Sequence, residues 1–305
     1  MLGKRLCLGD TIGLIAPASP ENIEVIKKTI LFLKNGGFNV VEGKHLYDNW
    51  GYLAGKDKDR ATDIMEMFKN KAVDMILCIR GGYGSSRLLP YLDYDVIREN
   101  PKIFAGFSDI TVLLNLFYEK CELTTFHSPM GNSNLEDIET FKSLMFTFME
   151  GYKPYTIKNP SGFTTQCITG GKADGNLIGG NLGLLCNSLG TPYEINMRDK
   201  ILFIEEVGEE PYRVDRILTQ FLLAKKLQQC RGIILGQFKG CDLPSYQRSL
   251  TLEEVFQDRL YNLGIPMFSG FCSGHDYPKL TLPIGVRVEM DAEAGVIHVM
   301  EGVVE

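Results

Sequence analysis

Residues 102–120 read KIFAGFSDITVLLNLFYEK. The apolar run 102–107 is typical of a buried strand, and residues 110–120 have the length and apolar content of a helix. A second strand-like run follows at 123–126. A strand, a helix and another strand in close succession form a βαβ unit, in which the two strands lie parallel. This stretch therefore predicts an α/β fold.

The same alternation extends on both sides of this stretch. Ser19 and Pro20 suggest an N-cap and a first helical position, and Gly36 with Gly37 ends the helix that follows. The other predicted strands are 11–17 (TIGLIAP), 38–42 and 73–79 (VDMILCI), and the other predicted helices are 61–71, 86–100 and 135–150. Repeated βαβ units predict a parallel sheet covered by helices on both faces.

The rhythm stops at residues 151–163 (GYKPYTIKNPSGF), which are rich in proline, glycine and serine. We therefore predict an amino-terminal parallel-sheet α/β domain at 1–150, a linker at 151–163 and a carboxy-terminal mixed β/α domain at 164–305. The second domain begins with a glycine-rich segment, 170–190. Its predicted strands are 201–205, 232–235 and 266–271, with a helix at 252–263 and a hairpin at 286–300.

Composition excludes several classes of protein. The chain has 305 residues, 44% hydrophobic, and no apolar run near the roughly 20 residues that a membrane helix needs. Its net charge of −6 is spread without a basic block, which disfavours nucleic-acid binding. The eight cysteines form no C-x-x-C pair, and no histidine cluster or H-E-x-x-H motif is present. We expect a cytoplasmic protein without a membrane, metal or cofactor requirement.

Ser108 is the candidate nucleophile because it follows a strand and precedes a helix. A serine on such a sharp turn exposes its hydroxyl, and the following N–H, that of Asp109, points toward a developing oxyanion. An ordinary helix N-cap is the alternative interpretation. The second glycine of the G-x-S-x-G elbow is absent, since Ile110 occupies its position.

A serine nucleophile needs a base and a carboxylate that orients the base. His275 lies in a Gly/Pro-rich loop (SGHDYPKLTLPIG) and is the preferred base; His127 is the runner-up, whereas the patterns around His45 and His298 indicate a loop and a strand residue. Either Glu205 or Glu206, at the end of the strand ILFIE, can orient it. Ser108, Glu205 and His275 all follow strands, where α/β sheets place their sites.

Two glycine-rich stretches have less specific meanings. In RGGYGSS, residues 80–86, the N–H of Gly81 or Gly82 can supply a second oxyanion donor, and Tyr83 can contact substrate. The stretch lacks the Walker lysine spacing, so a phosphate loop is weakly supported. In GNLIGGNLGLL, residues 175–185, the backbone is interpreted as a pocket wall with Asn181 as a polar contact. Arg80, Arg87 and Arg213 are candidate cations for a negatively charged group of a substrate by their charge alone, and each could equally form a surface ion pair.

The chain resembles the LD-carboxypeptidase family of serine peptidases, which includes muramoyl-tetrapeptide carboxypeptidases and microcin C immunity peptidases. The matching stretches include GDTIGLIAPASP, FAGFSDIT, ILFIEEVGEEPYRVDRILTQ and GHDYPKLTLPIG. The resemblance places the family's triad on Ser108, Glu205 and His275, and its oxyanion hole on the N–H groups of Asp109 and a glycine, taken as Gly82. One departure is His127-Ser128-Pro129, where many members have His-Gly-Pro.

This resemblance implies release of the terminal D-alanine from small murein tetrapeptides in cytoplasmic cell-wall recycling, by a homodimer. The immunity branch, which cleaves an aminoacyl-sulfamoyl-adenylate, is the alternative; it usually carries a stacking aromatic, and this chain has only Trp50 as a tryptophan. A non-catalytic protein that binds small ligands and a nucleotide-dependent enzyme are rivals from other classes. The sequence leaves open whether the substrate carries diaminopimelate or lysine.

Overall fold

A computed structural model describes residues 1–243 and 248–305. Its fourteen strands in these ranges are β1 Thr11–Ile15, β2 Asn39–Glu42, β3 Met75–Cys78, β4 Ile103–Gly106, β5 Thr125–His127, β6 Tyr155–Lys158, β7 Gln166–Thr169, β8 Lys172–Asn181, β9 Lys200–Val207, β10 Gly232–Lys239, β11 Met267–Ser269, β12 Leu282–Ile284, β13 Arg287–Asp291 and β14 Val296–Val299.

The α-helices of the described residues alternate with these strands. They are α1 Ile23–Asn35, α2 Asp57–Lys69, α3 Tyr94–Glu99, α4 Thr111–Cys121, α5 Ile138–Met149, α6 Leu182–Asn187, α7 Pro211–Leu223 and α8 Leu252–Arg259. Short 3-10 turns are formed by Ser85–Tyr91, Ser108–Ile110, Leu227–Gln229 and Tyr261–Leu263. None of the helices in the described ranges is both long and apolar enough to cross a membrane.

The first compact unit contains Met1–Lys153, Thr281–Gly285 and Gly302–Glu305. Its six-stranded sheet has the order β12-β5-β4-β3-β1-β2, and all strands except β12 run parallel. The central strands β3 and β4 are buried along their whole length, as expected of strands covered on both faces. The segment Thr281–Gly285 belongs to this unit because β12 pairs with β5.

The second unit contains Pro154–Leu280 and Val286–Glu301. Its eight-stranded sheet has the order β6-β14-β13-β8-β9-β10-β11-β7. The central strands β8, β9, β10 and β11 run parallel, and antiparallel strands flank them on both sides. The predicted fold, a parallel-sheet α/β part followed by a mixed β/α part, is confirmed.

One local prediction, the start of α1, differs from the structure. Helix α1 begins at Ile23, three residues after the expected start, because the side chain of Asn22 rather than Ser19 caps it by accepting the N–H of Glu24. Within the glycine-rich stretch 175–185, whose backbone is predicted to line a pocket, residues 175–181 belong to β8. A Cβ on Gly179 would lie 1.9 Å from the carbonyl oxygen of Phe203, so glycine is required where β8 approaches β9.

Candidate active site

In the first unit, four loops meet at one edge of the sheet. The strands β1, β3, β4 and β5 are parallel, so their carboxyl ends lie on the same side. The loops after β1 and β3 are bonded together: the N–H of Ser19 donates to the carbonyl of Gly81 at 3.2 Å, and the N–H of Tyr83 donates to the Ser19 hydroxyl at 3.1 Å. The RGGYG loop is thereby fixed beside the end of β4.

Ser108 occupies a strained turn at the end of β4. Its φ is +60°, a left-handed value that non-glycine residues adopt rarely and that is frequent at functional sites. The turn Ser108–Ile110 leads directly into α4. Gly106 permits this close packing, since a Cβ there would lie 2.9 Å from the side chain of Ile110. The geometry has the strand-turn-helix character of a nucleophile elbow.

The RGGYG loop packs directly against this turn. A Cβ on Gly81 would lie 2.9 Å from the Cβ of Ser108 and 3.2 Å from the nitrogen of Asp109. Gly82 has a φ of +107°, which also requires glycine. The structure therefore brings the loop that carries the predicted second oxyanion donor against the serine.

A fully buried arginine holds the loops around this edge. The guanidinium of Arg60 donates to the carbonyls of Pro17, Gly55 and Gly84, and it pairs with Asp57. Asp57 also accepts two N–H groups of Arg87. Burial lowers the pKa of Arg60, and the charge of Asp57 opposes that shift. Sequence reasoning missed Arg60, because no pattern distinguishes a buried arginine in an amphipathic helix.

In the second unit, Glu205 and His275 form a hydrogen-bonded pair. The Nδ1 atom of His275 lies 2.6 Å from Oε2 of Glu205. Glu205 is fully buried, whereas 16% of the His275 side chain is exposed. A carboxylate bound at Nδ1 fixes the imidazole so that Nε2 can accept a proton. Of the predicted residues, the structure thus joins the proposed base and its orienting acid.

Glu206, the alternative acid, has a different role. Its carboxylate accepts the side-chain amide of Asn181 at 2.7 Å, the N–H of Gly183 at 2.8 Å and the N–H of Val207 at 2.9 Å. Burial raises its pKa, and these three donors act against that shift. Glu206 therefore fixes the start of α6, and only Glu205 contacts His275.

The loop that carries His275 is held by Gln237, at the end of β10. The side-chain oxygen of Gln237 accepts the N–H of Asp276 at 2.9 Å, and its amide group donates to the carbonyl of Pro278 at 3.0 Å. The buried Lys279 donates to the carbonyl of Gly274. Sequence reasoning named neither Gln237 nor Lys279, because both are polar residues in segments without periodicity.

The remaining predicted contacts lie in diverse surroundings. His127 is fully buried, with its ring edge-on to that of Phe107 at 5.7 Å. Asn181 is 3% exposed and caps α6 through Leu184 in addition to binding Glu206.

Tyr83 is 52% exposed and packs edge-on against Tyr52. Arg213 is exposed on α7, where it contacts the Tyr212 hydroxyl and Glu209. Their part in substrate binding stays a prediction.

Within the described ranges, one group of side chains could hold a metal ion: His45, Asp48 and Asp59, whose ligand atoms lie within 4.8 Å of one another. The group is partly exposed, and His45 already pairs with Asp48 at 2.8 Å. The RGGYG loop after β3 is bonded through its backbone to Ser19 and to Arg60.

Family models match both halves of the chain. Residues 12–128 match the LD-carboxypeptidase N-terminal domain, and residues 174–290 match the LD-carboxypeptidase C-terminal domain. The chain belongs to the LD-carboxypeptidase family. The resemblance seen in the sequence is therefore confirmed.

Individual members of the LD-carboxypeptidase family extend this finding. The probable murein peptide carboxypeptidase of Bacillus subtilis (strain 168) is 39% identical, covering 99% of this chain and 95% of that protein. The structure of the microcin C7 self-immunity protein MccF in its wild-type apo state has a TM-score of 0.92 and 30% identity, covering 100% of both chains. The muramoyltetrapeptide carboxypeptidase from Oxalobacter formigenes has a TM-score of 0.83 and 27% identity, covering 95% of this chain and 99% of that one.

Proposed function

We propose that this family member is a serine LD-carboxypeptidase that releases the terminal D-alanine from murein tetrapeptides. The observation that carries the proposal is the 2.6 Å bond between Glu205 and His275, since a buried carboxylate on Nδ1 is the arrangement of a base in serine hydrolysis. The left-handed Ser108 turn supports it, as do relatives whose names contain murein peptide carboxypeptidase and muramoyltetrapeptide carboxypeptidase.

The proposed reaction is acyl transfer in two steps. Nε2 of His275 takes the hydroxyl proton of Ser108 while the serine oxygen attacks the scissile carbonyl carbon. The N–H groups of Asp109 and Gly82 stabilise the resulting oxyanion. When the tetrahedral intermediate collapses, the C–N bond breaks and the proton on His275 passes to the amine of D-alanine. A water deprotonated by His275 then attacks the acyl carbon, the ester C–O bond breaks, and the proton on His275 returns to the oxygen of Ser108.

Arg80 is the proposed partner of the substrate's terminal carboxylate. Arg87 uses two of its N–H groups on Asp57, and Arg213 uses its guanidinium on Tyr212 and Glu209. The guanidinium of Arg80 donates to the carbonyl of Pro20 and lies 3.9 Å from Glu21, so most of its five donors remain for a ligand. Arg80 also directly precedes Gly81 and Gly82.

A second candidate function is cleavage of an aminoacyl-sulfamoyl-adenylate. It is favoured by the TM-score of 0.91 with MccF in complex with aspartyl sulfamoyl adenosine. Incubating the enzyme with that compound and with murein tetrapeptide, at equal concentrations, separates the two functions by their kcat/KM. We further propose that the protein acts in the cytoplasm, without a cofactor and as a homodimer. Sedimentation equilibrium tests the homodimer.

The deciding experiment is release of D-alanine from synthetic murein tetrapeptide by the wild-type protein and by Ser108→Ala. We expect Ser108→Ala to lower kcat by about 10⁴ to 10⁶, as in other triads. Ser86→Ala removes an exposed hydroxyl from the neighbouring loop and should keep wild-type activity. Wild-type protein that releases no D-alanine would refute the function. An active Ser108→Ala protein would refute only the nucleophile, and a serine-directed fluorophosphonate identifies the residue that replaces it.

A further inference from the structure

Lys279 is a buried cation close to the Glu205–His275 pair. Only 2% of the residue is exposed, and its Nζ donates to the carbonyl of Gly274, the residue before His275. Its Nζ also lies 4.9 Å from the ring centre of Tyr277. A buried ammonium is costly unless another charge compensates it, so the partner of this charge identifies its role.

Glu205 is the charge that compensates Lys279. A Cβ on Gly274 would lie 3.1 Å from Oε2 of Glu205, so the backbone of Gly274 passes beside the carboxylate while its carbonyl accepts the bond from Lys279. Glu205 is fully buried, and its Oε1 atom has no hydrogen-bond partner in the described ranges. The carboxylate is therefore short of donors, and a cation next to it lowers the cost of keeping it ionised.

The other charged groups near Lys279 are either screened by solvent or satisfied by their own hydrogen-bond donors. Lys239 and Asp276 pair with each other at 3.2 Å, and both are about half exposed, so solvent screens them. Glu206 is buried but has its own three donors. Burial lowers the pKa of Lys279 to about 8, and the attraction of Glu205 opposes this shift. Lys279 thus carries its charge at neutral pH.

We propose that Lys279 is a positioning residue that offsets the buried charge of Glu205 and thereby keeps His275 unprotonated and competent as a base near neutral pH. This deepens the proposed function and rests on it. A lone buried carboxylate at 2.6 Å favours the imidazolium form of its partner. The ammonium of Lys279 repels that second positive charge. Its bond to Gly274 also fixes the backbone next to His275.

The first test compares kcat/KM against pH for the wild type, Lys279→Met and Lys279→Arg. We expect the acid limb of the Lys279→Met profile, where kcat/KM falls with decreasing pH, to move to higher pH by about one unit. At a given pH on that limb, kcat/KM is then about tenfold lower than in the wild type. Lys279→Arg keeps the charge and should keep the limb in place. Lys239→Met removes a charge from the neighbouring surface and is the matched control. The acid limb of its profile should lie at the same pH as that of the wild type. If Lys279→Met instead loses kcat/KM equally at every pH and its acid limb does not move, the lysine is purely structural and the proposal is overturned.

The second test needs no substrate and separates this proposal from the proposed function. In a Ser108→Ala background, NMR follows the titration midpoint of the His275 ring with and without Lys279→Met; His275→Asn assigns the signal among the four histidines. We expect the midpoint to rise by about one pH unit without the lysine. An unmoved midpoint overturns the role of Lys279 even if D-alanine is released. A moved midpoint, together with wild-type protein that releases no D-alanine, upholds the role of Lys279 and refutes the function. Should Lys279→Met unfold, Lys279→Gln gives the same comparison, because its amide can still donate to Gly274.

Discussion

The carboxylate of Asp109 accepts a 2.8 Å hydrogen bond from the backbone N–H of Ser85. Asp109 is 1% exposed and follows Ser108 directly, while Ser85 follows the RGGYG loop. Burial raises the pKa of Asp109, and the hydrogen bonds of Ser85 and the charge of Arg60 act against that shift. This bond therefore joins the two segments that carry the proposed oxyanion donors.

Asp109→Asn should lower kcat about 10- to 100-fold with little change in KM. The amide loses a charge-assisted acceptor for Ser85, so the donor loop shifts relative to the serine while ground-state binding survives. Steady-state kinetics on the tetrapeptide measures both constants. Asp95→Asn is the control, because Asp95 is exposed and pairs with Arg98 in its own helix. A folded Asp109→Asn protein with the wild-type kcat would contradict this role.

Gly81→Ala should reduce kcat by at least about 100-fold, as expected when the reacting groups are displaced by about 1 Å. The added methyl would lie 2.9 Å from Cβ of Ser108, so either the serine or the loop must move. The rate of fluorophosphonate labelling should fall with kcat, which locates the defect at the nucleophile. Gly36→Ala is the matched control at the end of α1, where the nearest atom would be 3.3 Å away. Equal losses in both variants would point to general destabilisation instead.

Arg80→Met should raise KM for the tetrapeptide about 10- to 100-fold, because a charge-assisted contact to the terminal carboxylate is lost. Arg213→Met should have a small effect, since that side chain lies exposed on α7. A tetrapeptide with a carboxy-terminal amide supplies the control substrate. Wild type and Arg80→Met should turn it over equally. If Arg213→Met raises KM and Arg80→Met does not, the assignment of the two arginines is reversed.

The first half of the fold could be predicted because its patterns are local. The strand-turn-helix sequence 102–120 predicts both the parallel sheet and the sharp turn at Ser108, and β4 and α4 lie where the pattern puts them. The glycine-rich strand β8 could not be predicted in this way. Gly179 is required by the carbonyl of Phe203, a residue distant in sequence, and glycines remove the apolar alternation that signals a strand.

The choice between Glu205 and Glu206 illustrates the same limit within the site. Successive residues of a strand point to opposite faces, so only one of the pair can meet His275. The sequence does not show which face that is. In the structure, Glu205 contacts His275 and Glu206 contacts Asn181. The role of Lys279 could not be predicted for a related reason, since nothing in the sequence PKLTLP indicates that the lysine is buried.

Lys279 should also make the stability of the protein depend on pH. Its pKa is lowered from 10.5 to about 8 in the folded protein, so between these values the unfolded chain binds more protons than the folded one. The free energy of unfolding must therefore rise with pH across this window, by up to about 3 kcal/mol from this group. Below pH 8 the lysine is charged in both states, and the full cost of its burial is present.

Urea denaturation of the wild type and Lys279→Met from pH 7 to pH 10.5 measures this contribution, because the difference between the two proteins removes the titration of all other groups. We expect the wild type to gain stability relative to Lys279→Met as the pH rises through about 8. Lys239→Met should follow the wild type, since Lys239 is about half exposed. A constant difference between wild type and Lys279→Met would mean that the lysine is not charged and desolvated in the folded state. A buried cation that lowers stability at neutral pH is the expected consequence of a residue retained to control the protonation of its neighbours.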